Sequence, residues 1–239
     1  MKTIVIYKWA RATASASVRR DGQVDWGTAK MAASDDDPAA LDTAKALAGP
    51  GGEVVGLTIG DGETAWVLAR GVDSAYTAPG VGPLTDNAAT AGALASAVRQ
   101  IGLPDAVVIG DSGADPGVAA ALAAHLGWPV LLGVGSAEAV DGAIVARRRA
   151  GNAVETVSVP VPAVLGVAAV GEEARPPGMM ETIKARKKPV TELTVEAPAE
   201  GVAATGTRLP DRSGARLFEG DPDDAAAQLV AALRGDGVL

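Results

Sequence analysis

Residues 104–129 read PDAVVIGDSGADPGVAAALAAHLGWP, and this stretch decides the fold. Ala106 to Ile109 is an apolar run, Gly110 to Gly117 is a loop of small and acidic residues, and the chain then continues into an Ala/Leu-rich helix ending near Gly127. The order predicts strand, loop, helix. In an open parallel sheet such a loop sits at the carboxyl end of its strand, where ligands of α/β folds collect, and the N–H groups that open the helix can hold a phosphate. The loop is therefore a candidate nucleotide site. The plainer alternative is that it is one of several strand-loop-helix units, most of whose loops bind nothing.

Working outward, the same rhythm recurs upstream. Lys2 to Tyr7 is a β-branched apolar run, with Lys8 to Thr13 as its exit loop, and Ser17 to Trp26 reads as a hairpin around Asp21-Gly22. A helix comes next, capped by Ser34 or one of Asp35 to Asp37, with Pro38 in its first turn and Gly49 to Gly52 after it. The acid triplet fits capping and the helix dipole, with metal binding as the alternative. Glu53 to Ile59 is a strand, Gly60 to Glu63 a turn into a helix reaching Arg70, Ser74 to Thr77 a strand, and Asn87 to Ile101 a helix. Short alternating strands and helices predict a parallel sheet with helices on both faces. Downstream, Val130 to Val134, Ala143 to Arg149 and Val154 to Val159 are extended runs without helices between them, and Ala163 to Val170 is a further apolar run. They predict an antiparallel edge addition and then a last core strand. Thr191 to Arg216 has little periodicity, as expected of an arm, and a terminal helix begins at Asp221 or Pro222 and ends at Gly235.

Composition narrows the chemistry. The chain has 239 residues, 48% of them apolar, enough for one α/β domain plus an extension. It has no cysteine, which excludes disulfides, thiolate metal sites and cysteine nucleophiles. The single histidine, His125, sits near the end of an Ala-rich helix, so histidine triads and multi-histidine metal sites are out. A net charge of −8 disfavours nucleic acid and anionic membranes. No window approaches a membrane span, the N-terminal apolar run is too short for a signal peptide, and a cytoplasmic location is expected.

Taken in order, the motifs resemble the β subunit of electron transfer flavoproteins over nearly the whole chain. The residues that carry the resemblance are IVIYK ending at Lys8, the helix start SDDDPAAL, GGEVVGLTIG, LARGVDSAY, PDAVVIGD with GWP at 127–129, VETVSVPVPAVLGV, and EEARPPGMMETIKARKKPV. The last is the most specific, keeping Glu173, Arg175 and the run Lys184 to Pro189 in order.

The resemblance implies a Rossmann-like (adenine-nucleotide hydrolase-like) domain over residues 1–190, and an arm with a helix over 191–239 that contacts the α subunit of a heterodimer. It implies an electron-carrier subunit rather than an enzyme. FAD is shared with, and held mainly by, the α subunit, and AMP is a candidate second nucleotide. Carried over by position, the nucleotide lies against Ile6, Ser34, Asp35, Asp36, Asp37, Ile59, Gly60 and the loop Gly110, Asp111, Ser112, Gly113, Asp115 and Gly117. The backbone N–H groups of Gly113 and Gly117 are the phosphate candidates, and Asp115 is expected to cap the helix or meet a ribose. Asp111 stands where the family usually has lysine, and beside a phosphate it would cost a few kcal/mol, on the order of a poorly solvated like-charge pair. A flavin dehydrogenase is expected to dock near Met179 and Met180, with Lys184, Arg186, Lys187 and Lys188 facing an acidic partner or the FAD phosphates. The competing reading is a stand-alone adenine-nucleotide-binding regulator of similar fold.

Overall fold

Residues 1–82, 84, 86–111, 113, 115–169, 176–196, 198–211 and 214–239 are described by a computed structural model. The molecule is built around β1 (Lys2–Ile6), in which Thr3 to Ile6 are all buried. Successive side chains of a strand point to opposite faces, and here both faces are covered. Val5 packs with Leu41 of α1 (Asp37–Ala48) and Val67 of α2 (Thr64–Ala69) in one core cluster. Ile4 and Ile6 pack with Leu94 of α3 (Asn87–Ile101) and Leu122 of α4 (Val118–Leu126) in the other. An uninterrupted apolar strand is the signature of a sheet sandwiched between helices.

One nine-stranded sheet runs in the order β11, β10, β9, β12, β8, β1, β6, β7, β13. Its strands are β6 (Glu53–Ile59), β7 (Ser74–Ala78), β8 (Ala106–Gly110), β9 (Val130–Val140), β10 (Ala143–Ala150), β11 (Ala153–Val159), β12 (Ala163–Val167) and β13 (Val190–Glu192), together with β1. From β9 to β13 every neighbouring pair is parallel, and β10 is antiparallel to both β9 and β11. The α/β sheet with helices on both faces and an antiparallel edge is therefore as read from the sequence, and so is the terminal helix α6 (Pro222–Gly235).

Three local readings change. The exit loop after β1 contains a short strand, β2 (Trp9–Arg11), paired antiparallel with β5 (Met31–Ala33), while the expected hairpin forms between β3 (Ser17–Val18) and β4 (Val24–Asp25). A boundary at 190/191 falls inside β13, which pairs with β7 through Val190 and Ala75; Val195 beyond it is buried in the core. The last core strand stops at Val167, and Val170, expected to end it, lies outside the described residues.

The chain passes from β1 to β6 and β7 on one side, then crosses back to β8 on the other, so the strand order reverses between β1 and β8. The crevice outside the carboxyl ends of strands at such a reversal is where open α/β sheets bind ligands.

Candidate functional site

A cavity of about 360 Å³ lies at that reversal, outside the carboxyl ends of β1, β6 and β8. Of the residues singled out by sequence, Ile6, Ser34, Asp37, Ile59, Gly60, Gly110 and Asp115 line it. Gly110 is needed for the close approach of α1: a Cβ there would stand 3.0 Å from Asp36 Cβ and 3.1 Å from Asp37 Oδ1.

The acid triplet does not cap α1. Asp36 occupies the N-cap position without a side-chain capping bond, because its Oδ1 accepts the backbone N–H of Ala169 at 2.7 Å and ties α1 to the chain beyond β12. Asp37 turns inward, and its Oδ2 accepts the backbone N–H groups of Lys8 (3.0 Å) and Ser34 (2.8 Å). It is only 2% exposed, and burial pushes its carboxyl up to about 7 against the lowering effect of those two donors. Asp35 is exposed and does not line the cavity. Among the described residues no three His, Cys, Asp or Glu side chains are grouped as a metal ion would require.

The loop after β8 also departs from expectation. Asp111 does not face the cavity: its Oδ2 accepts the backbone N–H of Gly133 at 3.0 Å, so the side chain belongs to the β9 side of the sheet. The anticipated clash between Asp111 and a phosphate therefore does not arise. Asp115 neither caps α4 nor stands free, because it pairs with the Lys8 ammonium at the cavity. The N-cap of α4 is Gly117, at φ 88°, a left-handed conformation suited to glycine. Gly113 and Gly117 are exposed and outside the cavity lining, and Ser112 lies outside the described residues.

Sequence reasoning missed Tyr7, Lys8, Trp9, Met31, Thr58, Asp61, Leu84 and Thr90, which are also part of the lining. Trp9 and Met31 arrive through the β2–β5 ladder; a tryptophan in an apparent exit loop was the one available signal. Tyr7 stacks on Trp66 with centroids 5.4 Å apart, its hydroxyl donates to the Glu63 carbonyl at 3.4 Å, and burial raises its phenol far above the ordinary range.

Most of the lining is aliphatic or aromatic, and its carboxyl- and ammonium-bearing members are Asp61, Asp115, Lys8 and Asp37, whose carboxyl burial pushes toward its neutral form. Among the described residues Lys8 is the only cation of the lining, and it is already paired with Asp115. Like charges about 4 Å apart repel by about 1 kcal/mol in water and about 4 kcal/mol near a protein surface. A phosphomonoester dianion fits this lining poorly, whereas an uncharged ring fits it well.

Away from the cavity lining, α5 (Met179–Ala185) is anchored by buried Ala185 and leaves Met179 (81%), Met180 (65%) and Ile183 exposed. Lys184, Arg186 and Lys187 are exposed beside them. Lys188 is not available to a partner, because its ammonium donates to the carbonyls of Leu68 (3.3 Å) and Val72 (2.5 Å) at the end of α2, where helix carbonyls attract cations. Glu173 and Arg175 lie outside the described residues. His125 is exposed in the last turn of α4, and its carbonyl accepts from Arg99.

The family model of the electron transfer flavoprotein domain matches residues 27–198, more than two thirds of the chain, spanning α1 to α5 and every strand from β5 to β13. With the parallel sheet, the reversal point and the cavity all within or beside that span, the chain belongs to the electron transfer flavoprotein domain family, whose members carry electrons.

Proposed function

We propose that this chain is the β-type subunit of a heterodimeric electron transfer flavoprotein. It passes electrons from a flavin dehydrogenase to a downstream acceptor through FAD held mainly by an α subunit, and it works in the cytoplasm without acting as an enzyme itself. FAD, when bound, supplies the redox chemistry, and this chain supplies position, shielding from water and docking surface. The observation that carries the reading, beside the family, is the arm: none of the described residues from Pro198 to Leu239 is buried. Helix α6 presents Leu229 (45% exposed) and Val230 at its surface, and Leu217 before it is 77% exposed. A capped amphipathic helix with no burial in its own domain is suited to a second chain. The arm proper then begins after Val195, and the sheet domain extends to that residue.

The exposed methionines of α5 supply an adaptable apolar patch for a dehydrogenase, and Lys184, Arg186 and Lys187 beside it suit an acidic rim. The test is co-expression with a candidate α subunit, purification of the complex and identification of nucleotides released by acid. One FAD per heterodimer is the expected result. Failure to form a complex, with no flavin recovered, overturns the reading and favours the stand-alone regulator.

A further inference from the structure

We infer that the cavity at the carboxyl ends of β1, β6 and β8 binds an uncharged heteroaromatic molecule bearing N–H donors and rejects the phosphorylated form of the same molecule. The walls are those of a ring site: Ile6, Ile59, Val81, Leu84 and Ile109 are aliphatic, and Trp9 adds an indole. The polar groups are few and matched to N–H or O–H donors. The hydroxyls of Ser34, Thr58 and Thr90 are among them, and the Asp37 carboxyl, 2% exposed, is held in place by the backbone N–H groups of Lys8 and Ser34. Such a site, mostly apolar with a few fixed polar groups, is the usual form of a small-molecule pocket.

The charges argue against a phosphate. A dianion entering this cavity meets Asp61 and Asp115, and it gains Lys8 only by separating Lys8 from Asp115. Among the described residues no other cation lines the cavity, while exposed Lys184, Arg186 and Lys187 are gathered on or beside α5, whose residues do not line it. The glycine backbone expected to cradle a phosphate, at Gly113 and Gly117, is exposed and outside the lining. This inference concerns the cavity alone and stands apart from the docking of an α subunit, so complex formation and ligand choice are read separately.

The experiment is isothermal titration of the full chain, alone and in complex with its α subunit, using adenosine and AMP as probes. Adenosine is expected to bind at least about tenfold more tightly than AMP, the ratio that one like-charge contact in a half-solvated site produces. Asp115→Asn frees the Lys8 ammonium, so the affinity for AMP relative to adenosine is expected to rise by about tenfold. Asp61→Asn, at an exposed position, is expected to shift AMP in the same direction by a smaller factor, which keeps the test open if Asp115→Asn does not fold. AMP binding as tightly as adenosine to the unaltered chain, binding of neither probe, or an unchanged ratio in both folded variants would each overturn the inference.

Discussion

The sheet domain and the C-terminal arm are made from similar residues and behave in opposite ways. In β1 every side chain from Thr3 to Ile6 is buried between two layers of helices, whereas from Pro198 onward no described residue is buried. The arm is nonetheless tied down at its start. Asp86, the N-cap of α3, accepts the backbone N–H groups of Gly201 (2.7 Å) and Val202 (3.1 Å), and these bonds, with that from Ala88, hold its carboxyl below the usual carboxylate range. Further along, the Thr207 hydroxyl donates to the Gly22 carbonyl in the β3–β4 turn at 2.9 Å. Apolar content alone therefore does not make a core. Periodicity that meets a covering layer does, and the arm offers only polar anchor points and one amphipathic helix.

The sharpest way to break this contrast is at β1. Ile4→Ala removes fully buried methyl groups between α3 and α4 and is expected to cost about 3 kcal/mol of unfolding free energy, read from denaturant titration. A loss below about 1 kcal/mol would mean that the centre of the sheet can collapse to fill the space.

Next in size is the buried acid. The folded carboxyl of Asp37 titrates near 7, and its ordinary value is 3.8. Between these values the folded state holds the proton and the unfolded state has lost it, so this contribution is complete below the unfolded value and fades as pH rises toward 7. Stability is expected to fall by about 2 kcal/mol between about pH 5 and about pH 7, and Asp37→Asn should flatten that slope. Asp86 and Asp221 shift the other way through backbone N–H donors, and they add stability that is lost only on acidification below the ordinary carboxylate range. The two windows do not overlap, so urea titrations across this pH range separate them.

A smaller effect divides the basic run. Lys188→Ala strips the carbonyls of Leu68 and Val72 of their ammonium and should cost about 1 kcal/mol, whereas Lys187→Ala should lie within about 0.5 kcal/mol of the unaltered chain. Equal effects would dissolve the distinction between a cation that closes a helix and one that faces outward. Smallest of all in stability terms is Met179→Asp, expected within about 0.5 kcal/mol by thermal unfolding. The same variant should slow reduction of the heterodimer by its dehydrogenase severalfold, which stopped-flow kinetics would read.

Much of the architecture was legible because it is written in local patterns. The two-faced apolar run at β1, the change to helical spacing after Gly117, and the three extended runs after Trp128 each arise from residue periodicity. The cavity was legible in part. Ile6, Ile59 and Gly110 are found at strand ends, where the reversal of strand order must bring them together, but Trp9 and Met31 reach the site through a two-strand ladder too short to show a pattern.

The sequence by itself determined the fold class and the exclusion of cysteine and multi-histidine chemistry, since these depend on composition and on periods of two and 3.6 residues. Only the tertiary structure decided the use of each charge. Adjacent acids with the same preferences went to different tasks: Asp36 to the N–H of Ala169, Asp37 to the cavity, Asp111 to Gly133 and Asp115 to Lys8. Hydrogen-bond partners that lie far apart in the chain are set by how the layers pack, and a carboxylate carries no local signal of which distant N–H it will meet.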